Sequence, residues 1–445
     1  MRILLLGMGS RGDVHPLVAL GQRLRRRGYA VSLSAAADLG HVVAGSGVDF
    51  EPLSFDLEGP LREGSGRESL RGSAWTQVGE ARLMRQVMAA TAEALAADIG
   101  RLVEEADAVV SGALTFDLVD ALLSPSGGRG GRPAKPHLYA VFAPVWPSAH
   151  GSSVALALRP GATSSVNLAW SNLAGRVALD LFRPAGDLVR ERKGLPRRRF
   201  RDYAAAAERT PTLLGASPSV VPPAADWPPA LRQTGFWVRD DVGGSLDDEL
   251  EAFLAVGEAP VFVGFGSMPT PDPAGLVRDA VGVLGRLGLR GVVSEGLAGL
   301  SVGHLPDEHL PVGHLPVGHL PGGGVPEVLG IGPAPHDVLF PRCSVVVHHG
   351  GAGTTAAAVR AGVPQVVVPH AADQPYWGRR MADLGVAPPP IARKDLTAAR
   401  LQRALELALS ARAREAAYAL GERVRAEDGA GDAARLVDDH LRGGV

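Results

Sequence analysis

The sequence VVVHHGGAGTT at residues 345–355 passes from an apolar run into a helical pattern through a glycine turn. Val345–His348 is typical of a buried parallel strand, and a helix is predicted over Gly353–Ala361. Glycines between the two let a ligand approach the backbone, and the first amides of a helix attract anions. With a histidine and threonine hydroxyls as further donors, the stretch predicts a cradle for phosphate in an α/β fold.

A second polar turn follows one strand later. Gln365–Pro369 predicts a strand, and Asp373 and Gln374 come shortly after it. Their side chains offer acceptors and donors to a polyhydroxy ligand. Because successive parallel strands end at one edge of a sheet, the two turns together indicate a nucleotide sugar. The alternative is a pair of ordinary turns, with Asp373 as the cap of the next helix.

Strand and helix patterns alternate along the rest of the chain. The other predicted strands are Ile3–Leu6, Ala30–Ser34, Ala108–Ser111, Leu138–Ala143, Pro260–Gly266 and Arg290–Ser294. The other predicted helices are His15–Arg27, Arg82–Glu105, Asp272–Leu287, Gln374–Leu384, Leu396–Leu409 and Arg412–Arg425. Such alternation predicts doubly wound parallel sheets.

A stretch rich in proline, glycine and aspartate near the middle, Pro218–Gly244, predicts a linker. The expected organisation is therefore two Rossmann-like domains at residues 1–220 and 246–415, joined by a linker at 221–245. Helices at 416–445 are expected to pack back on the first domain.

The first glycine turn, Gly7–Gly12, formally matches the GxGxxG pattern of dinucleotide sites. A nicotinamide site also needs an acidic residue at the end of the second strand, and Asp38 comes late for that role. A nicotinamide-dependent oxidoreductase is therefore an alternative reading of this half. Asp13, directly after the glycines, is a candidate general base, or a helix N-cap.

Composition excludes several classes of protein. The 445 residues carry 45 basic and 47 acidic side chains, which argues against a nucleic-acid binder. The single cysteine, Cys343, allows neither an intrachain disulfide nor a cysteine-based zinc site. The apolar run Ile3–Leu6 is too short for a signal peptide, and we expect a cytoplasmic protein without a transmembrane segment. The abundance of alanine, glycine and arginine fits a GC-rich, actinobacterial origin.

Residues 303–322 repeat an LPxGH-like pentad four times, with a histidine in each unit. A metal site and an extended surface loop are the two readings, and a proline in every unit favours the loop. Trp146, Trp170 and Phe182 lie in a stretch of small residues and are either packing residues or the wall of an apolar pocket.

Three stretches carry a family resemblance: PHDVLF at 335–340, HHGGAGTT at 348–355 and ADQPYWGRRMADLGV at 372–386. They resemble the donor-binding region of glycosyltransferase family 1, in the branch that glycosylates sterols and bacterial natural products. GSRGDVHPLVALGQRLRRRGYAV at 9–31 is similar to the acceptor-side opening of that family. The resemblance implies a GT-B fold and inverting transfer of a sugar from a UDP- or dTDP-sugar to an acceptor hydroxyl. It implies neither a metal nor a bound cofactor.

The resemblance also implies roles for particular residues. Asp13 would be the general base, with Gly12, His15 and Trp146 on the acceptor side. The donor diphosphate would be bound by His349, Gly351, Gly353, Thr354 and Ser267. Asp373 and Gln374 would bind the sugar, and His336 would lie near the nucleoside.

The expected donor sugar is a glucose-like hexose, because Asp373 and Gln374 suit a sugar that keeps its hydroxyls. The expected acceptor is a small apolar molecule such as a natural product or sterol. Two further alternatives are a nucleotide-sugar epimerase and a non-enzymatic binder of sugar nucleotides. Whether Asp117 supports the base is left open by the sequence.

Overall fold

The computed structural model describes residues 1–9, 11–54, 85–125, 135–156, 158, 162–240, 245–266, 268, 272–295 and 327–443. The chain forms two compact units. The first comprises Met1–Asp241 and Glu427–Val445, and the second comprises Val242–Ala426. Each unit contains a wholly parallel sheet among its described residues, which confirms the predicted α/β class with two parallel-sheet domains.

The sheet of the first unit has seven strands in the order β3-β2-β1-β4-β5-β6-β7. These strands are β1 (Arg2–Leu6), β2 (Ala30–Ala36), β3 (Asp49–Leu53), β4 (Ala108–Ser111), β5 (His137–Val141), β6 (Thr212–Leu214) and β7 (Leu231–Gln233). Its helices are α1 (Arg11–Arg26), α2 (Gly40–Val43), α3 (Ala92–Glu105), α4 (Phe116–Leu123), α5 (Ser165–Phe182), α6 (Pro184–Arg192), α7 (Phe200–Arg209) and, at the end of the chain, α15 (Gly429–Leu441).

Helix α15 completes the core of the first unit. Its alanines Ala430, Ala433 and Ala434 are buried in the same apolar cluster as Leu17 of α1. The Tyr29 hydroxyl, just before β2, donates a 2.5 Å hydrogen bond to Asp438 of this helix. Small side chains on one helical face allow this close approach to α1.

Two stretches of the first unit differ from the sequence expectation. Helix α1 begins at Arg11 rather than His15, so Pro16 lies inside the helix, where it removes one backbone hydrogen bond. Residues 221–245, expected as a linker, contain strand β7, which pairs in parallel with β6. Strand β7 reads Leu-Arg-Gln, with a single apolar residue, so no hydrophobic period marks it in the sequence.

The sheet of the second unit has five strands in the order β10-β9-β8-β11-β12. They are β8 (Val261–Gly264), β9 (Gly291–Ser294), β10 (Val328–Ile331), β11 (Val345–His348) and β12 (Gln365–Val367). The helices are α8 (Asp248–Ala255), α9 (Pro273–Leu287), α10 (His336–Leu339), α11 (Ala352–Ala361), α12 (Gln374–Asp383), α13 (Ala398–Ala408) and α14 (Ala411–Arg425).

The middle strands of this sheet are buried on both faces, as their continuous valine runs predict. In the described part of the chain, no helix has the length and apolar character needed to cross a bilayer.

Candidate functional site

Three neighbouring strands of the second sheet bring aromatic and polar side chains to one edge. β8, β11 and β12 are adjacent and parallel, so their carboxyl ends lie together. Phe265 follows β8, His349 follows β11, and His370 lies three residues beyond β12. Ligands of open α/β sheets bind at this edge. We call the group Phe265, His349, His370, Asp373 and Gln374 the strand-end site.

The first histidine of the HHGG motif is a structural residue. His348 is fully buried, and its Nδ1 accepts the backbone N–H of Gly350 at 3.1 Å. Its Nε2 therefore carries the proton and donates to Oε1 of Gln365 at 2.8 Å. Burial lowers the pKa of His348 to about 3, with smaller contributions from His349 and His336. Both ring nitrogens are occupied, so His348 holds the turn in place.

The second histidine of the motif, His349, differs from His348 in its hydrogen bonding. The Nδ1 atom of His349 is buried without a hydrogen-bond partner among the described residues. Burial, followed by the nearby His370, lowers the pKa of His349 to about 4. A methyl group on Gly351 would come within 2.5 Å of the His349 Nε2 atom, so this position needs a glycine. His349 thus gives the strand-end site a neutral imidazole whose Nδ1 has no hydrogen-bond partner among the described residues.

Helix α11 begins directly beside His349. Gly351 is its N-cap and provides no side-chain cap, and Gly353 and Thr354 lie in its first turn. The first amides of a helix have no partner within the helix, and the helix dipole makes this end electropositive. The stretch predicted as a phosphate cradle thus forms a helix start next to the His349 imidazole, and its binding of phosphate stays a prediction.

Gln374 shapes the turn that follows β12. Its Oε1 accepts the backbone N–H groups of His370 at 2.7 Å and of Ala371 at 3.0 Å. The side chain is only 5% exposed. Ala372, between these residues, adopts a left-handed backbone conformation with φ of 54°. A non-glycine residue in that region stores strain, which is common at functional sites.

Asp373 stands at the N-cap position of α12 but does not cap it through its side chain. Instead its Oδ2 accepts the indole N–H of Trp377 at 2.8 Å. Burial raises the pKa of Asp373, and the Trp377 hydrogen bond opposes that shift. The carboxylate is thus oriented by the indole, which leaves it able to accept hydrogen bonds from a ligand.

The other residues predicted for the donor side are only partly described. The His336 ring stacks on Phe340 at 4.3 Å between centroids and meets Phe262 edge-on at 5.7 Å. Ser267 and the pentads at 303–322 lie outside the described residues. Among the residues that are described, no group of three or more potential metal ligands comes together.

Asp13 lies in the first turn of α1, as its third residue, and is partly buried. A methyl group placed on Gly9 would lie 2.1 Å from the Asp13 Oδ2 atom. Gly9 also has φ of 148°, so both the carboxylate and the backbone require glycine there. Gly12 is partly buried and His15 is exposed. Asp13 is therefore not the N-cap but a carboxylate held against the glycine turn.

Asp117 belongs to a buried ion pair. Both of its carboxylate oxygens accept from Arg190, at 2.7 and 2.8 Å, and Arg198 approaches one of them at 3.4 Å.

The two tryptophans differ in exposure. Trp146 is 6% exposed and packs edge-on against Tyr139, whereas Trp170 on α5 is 40% exposed. Trp146 is thus buried, and its place on the acceptor side stays a prediction.

Three buried histidines of the second unit should make the stability of the protein depend on pH. The pKa values of His348, His349 and His370 are lowered to about 3, 4 and 4, whereas an unfolded histidine titrates near 6.5. The contribution of these three histidines to the free energy of unfolding is therefore fully present above pH 6.5. It is lost as the pH falls toward 4, because only the unfolded chain binds these protons. Each histidine contributes about 1.4 kcal/mol per pH unit in that window.

Urea unfolding at several pH values between 7.5 and 5 measures this dependence. We expect the slope of unfolding free energy against pH to decrease by about one proton in His348→Gln. Equal slopes in wild type and His348→Gln would contradict the assignment.

Sequence reasoning missed His370 and Phe265. The His370 ring packs against Phe265 at 5.5 Å between centroids, and its Nε2 is buried without a partner among the described residues. The signal available in the sequence was the position of His370, directly after an apolar strand and before Asp373.

Comparison with known proteins gives consistent matches in both halves. Residues 3–113 match the glycosyltransferase family 28 N-terminal domain. Residues 301–434 match the C-terminal domain of proteins like erythromycin biosynthesis protein CIII. The chain is 35% identical to the O-mycaminosyltylonolide 6-deoxyallosyltransferase of Streptomyces fradiae, across 99% of this chain and 97% of that protein. It is 28% identical to a sterol 3-beta-glucosyltransferase of Arabidopsis thaliana, spanning 99% of this chain and 66% of the plant protein.

The fold agrees with that relationship. The crystal structure of the glycosyltransferase VinC in complex with dTDP superposes with a TM-score of 0.62 at 20% identity, covering 100% of both chains. The fold class predicted from the sequence, GT-B, is thereby confirmed. The chain belongs to the GT-B glycosyltransferases, in the branch that contains the enzymes of antibiotic biosynthesis and the sterol glucosyltransferases.

Proposed function

We propose that this glycosyltransferase moves a glucose-like hexose from a UDP- or dTDP-sugar to a hydroxyl group of a small apolar acceptor, with inversion at the anomeric carbon. No metal ion or bound cofactor takes part in the proposed reaction. One observation carries the proposal. The Nδ1 atom of His349 is buried, has no hydrogen-bond partner among the described residues, and lies beside the start of α11. An imidazole next to unpaired helix amides suits a diphosphate.

The relatives support the choice of donor and acceptor. VinC was solved with dTDP, a nucleoside diphosphate. The Streptomyces relative is named as a 6-deoxyallosyltransferase for O-mycaminosyltylonolide, and the Arabidopsis relative as a sterol 3-beta-glucosyltransferase. Both names describe transfer of a sugar, and the sterol is an apolar acceptor with a hydroxyl group.

In the proposed reaction the acceptor oxygen attacks the anomeric carbon while the bond from that carbon to the diphosphate oxygen breaks. Asp13 takes the proton of the acceptor hydroxyl. The bonding electrons leave with the diphosphate, and the added negative charge is stabilised by His349 and by the amides at Gly353 and Thr354. Asp373 and Gln374 hold the hydroxyls of the sugar.

Thermal unfolding with UDP, dTDP, UDP-glucose, dTDP-glucose and NAD tests the donor site. A ligand at 100 times its dissociation constant adds roughly 2.7 kcal/mol of stability. We expect this gain with one of the two nucleotide series, and we expect it to be lost in His349→Ala. The exposed His41, changed to alanine, is the matched control and should respond like wild type. Stabilisation by NAD alone would overturn the proposal and favour the oxidoreductase.

A further inference from the structure

We propose that His370 is a specificity-determining residue whose Nε2 atom accepts a hydrogen bond from one hydroxyl group of the donor sugar. The inference rests on the function proposed above. It adds the identity of one hydrogen-bond acceptor in the sugar subsite and the direction of that bond.

The tautomer of His370 follows from its backbone contact. The Nδ1 atom lies 2.9 Å from the carbonyl oxygen of Val368. A carbonyl oxygen only accepts, so Nδ1 carries the proton and donates it. A neutral imidazole has one N–H group, so the Nε2 atom presents a lone pair.

The ring is held in this orientation from several sides. The backbone N–H of His370 donates to Gln374 at 2.7 Å, and Phe265 packs against the ring. Burial lowers the pKa of His370 to about 4, the Val368 hydrogen bond opposes the shift, and Arg393 adds to it. The ring is therefore neutral at pH 7. Turning it over would break the bond to Val368.

The Nε2 atom is buried and has no hydrogen-bond partner among the described residues. A buried acceptor without a donor is destabilising, so the site favours a ligand that supplies one. Phosphate oxygens have no hydrogen to give at neutral pH, and they would meet a lone pair with repulsion. A hydroxyl group is the complementary partner, whereas the diphosphate belongs to His349 and the start of α11.

The neighbourhood fits a polyol rather than an isolated hydroxyl. The carboxylate of Asp373, three residues further on, is a second acceptor on the same turn. Two adjacent acceptors match two hydroxyl groups of a hexose. A sugar that lacks the hydroxyl facing His370 would leave Nε2 unpaired and bind about 10- to 100-fold more weakly.

Calorimetric titration tests the proposal with UDP-glucose or dTDP-glucose, whichever stabilises the protein, and with its 2-, 3-, 4- and 6-deoxy analogues. Wild type should bind one of the four analogues at least 10-fold more weakly than the parent sugar, because of the missing hydroxyl. His370→Phe keeps an aromatic ring and removes the lone pair. It should bind the parent and that analogue equally, while His370→Gln, which restores an acceptor, should regain part of the discrimination.

The outcomes separate this inference from the donor-site proposal. If His370→Phe keeps the full discrimination, or if wild type binds every analogue as well as the parent sugar, the role of His370 is wrong. UDP or dTDP without a sugar should bind wild type and His370→Phe alike, since neither reaches Nε2. Failure of wild type to bind any of these nucleotides would overturn both proposals together.

Nitrogen NMR of the wild-type histidines provides a readout that needs no variant. The Nε2 resonance of His370 should have the shift of an unprotonated nitrogen in the free protein. It should move upfield with the nucleotide sugar and stay in place with the nucleoside diphosphate alone. Movement with both ligands, or with neither, would count against a hydroxyl bond.

Discussion

Asp13→Asn is expected to lower kcat by about 10²- to 10⁴-fold, because an amide cannot take the proton from the acceptor hydroxyl. Asparagine has nearly the same shape, and the tight fit of this side chain against Gly9 makes the match of size important. The measurement is the rate of UDP or dTDP release with saturating donor and a hydroxylated acceptor such as a sterol or a macrolide aglycone. Release that needs the acceptor also distinguishes transfer from epimerisation.

Asp38→Asn is the matched control for this experiment. Asp38 is an exposed carboxylate in the same unit, beyond β2, and it would be the ribose ligand of a nicotinamide enzyme. Its replacement should leave the transfer rate unchanged. Asp13→Asn should also retain the thermal stabilisation by nucleotide, which shows that the fold and the donor site are intact. A rate within threefold of wild type in Asp13→Asn would remove it as the base.

Arg190→Met is expected to destabilise the first unit by about 3–5 kcal/mol. The guanidinium donates to both oxygens of Asp117 and also, at 3.0 Å, to its backbone carbonyl. Both side chains are almost completely buried, so removing the guanidinium leaves the Asp117 carboxylate with only the longer contact to Arg198, at 3.4 Å. The pair also joins α4 to α6, which adds the loss of helix packing. Urea unfolding followed by circular dichroism measures the change in free energy.

The double variant Asp117→Leu with Arg190→Met separates the cost of the orphaned charge from that of lost packing. A buried ion pair replaced by apolar side chains of similar size is often nearly neutral in stability. We therefore expect the double variant to be more stable than Arg190→Met alone. Arg190→Lys should be intermediate, because lysine keeps the charge but not the two parallel hydrogen bonds. A loss below about 1 kcal/mol in Arg190→Met would contradict the strength assigned to the pair.

The elements that the sequence predicted best share one property. The predicted strands Ala108–Ser111 and Val345–His348 coincide with β4 and β11, because each is a continuous apolar run bounded by polar or glycine-containing turns. β6 and β7 have three residues each and gave no such pattern. β12 is equally short, but it lies in an apolar run that continues to Val368, so the sequence indicates it. β6 and β7 depend instead on pairing with their neighbours, which a local pattern does not contain.

The residues of the candidate site also differ in how far the sequence could indicate them. His349 and Asp373 could be proposed from the sequence because they belong to motifs of consecutive residues. The pairing of Asp117 with Arg190 could not, since 73 residues separate the two side chains in sequence. The role of His370 depends on which of its nitrogens is bonded, and only the position of the Val368 carbonyl shows that.

The placement of α15 has a consequence for how the protein is made. The first unit contains both Met1–Asp241 and Glu427–Val445, so its last core helix is translated after all of the second unit. At the usual 5–20 residues per second, the ribosome needs on the order of 10–40 s to add residues 242–426. During that interval α15 is absent, so the surface of α1 against which Ala430 and Ala433 later pack remains exposed. The second unit can thus finish folding first, and the nascent first unit is the part of the chain that most needs chaperone protection.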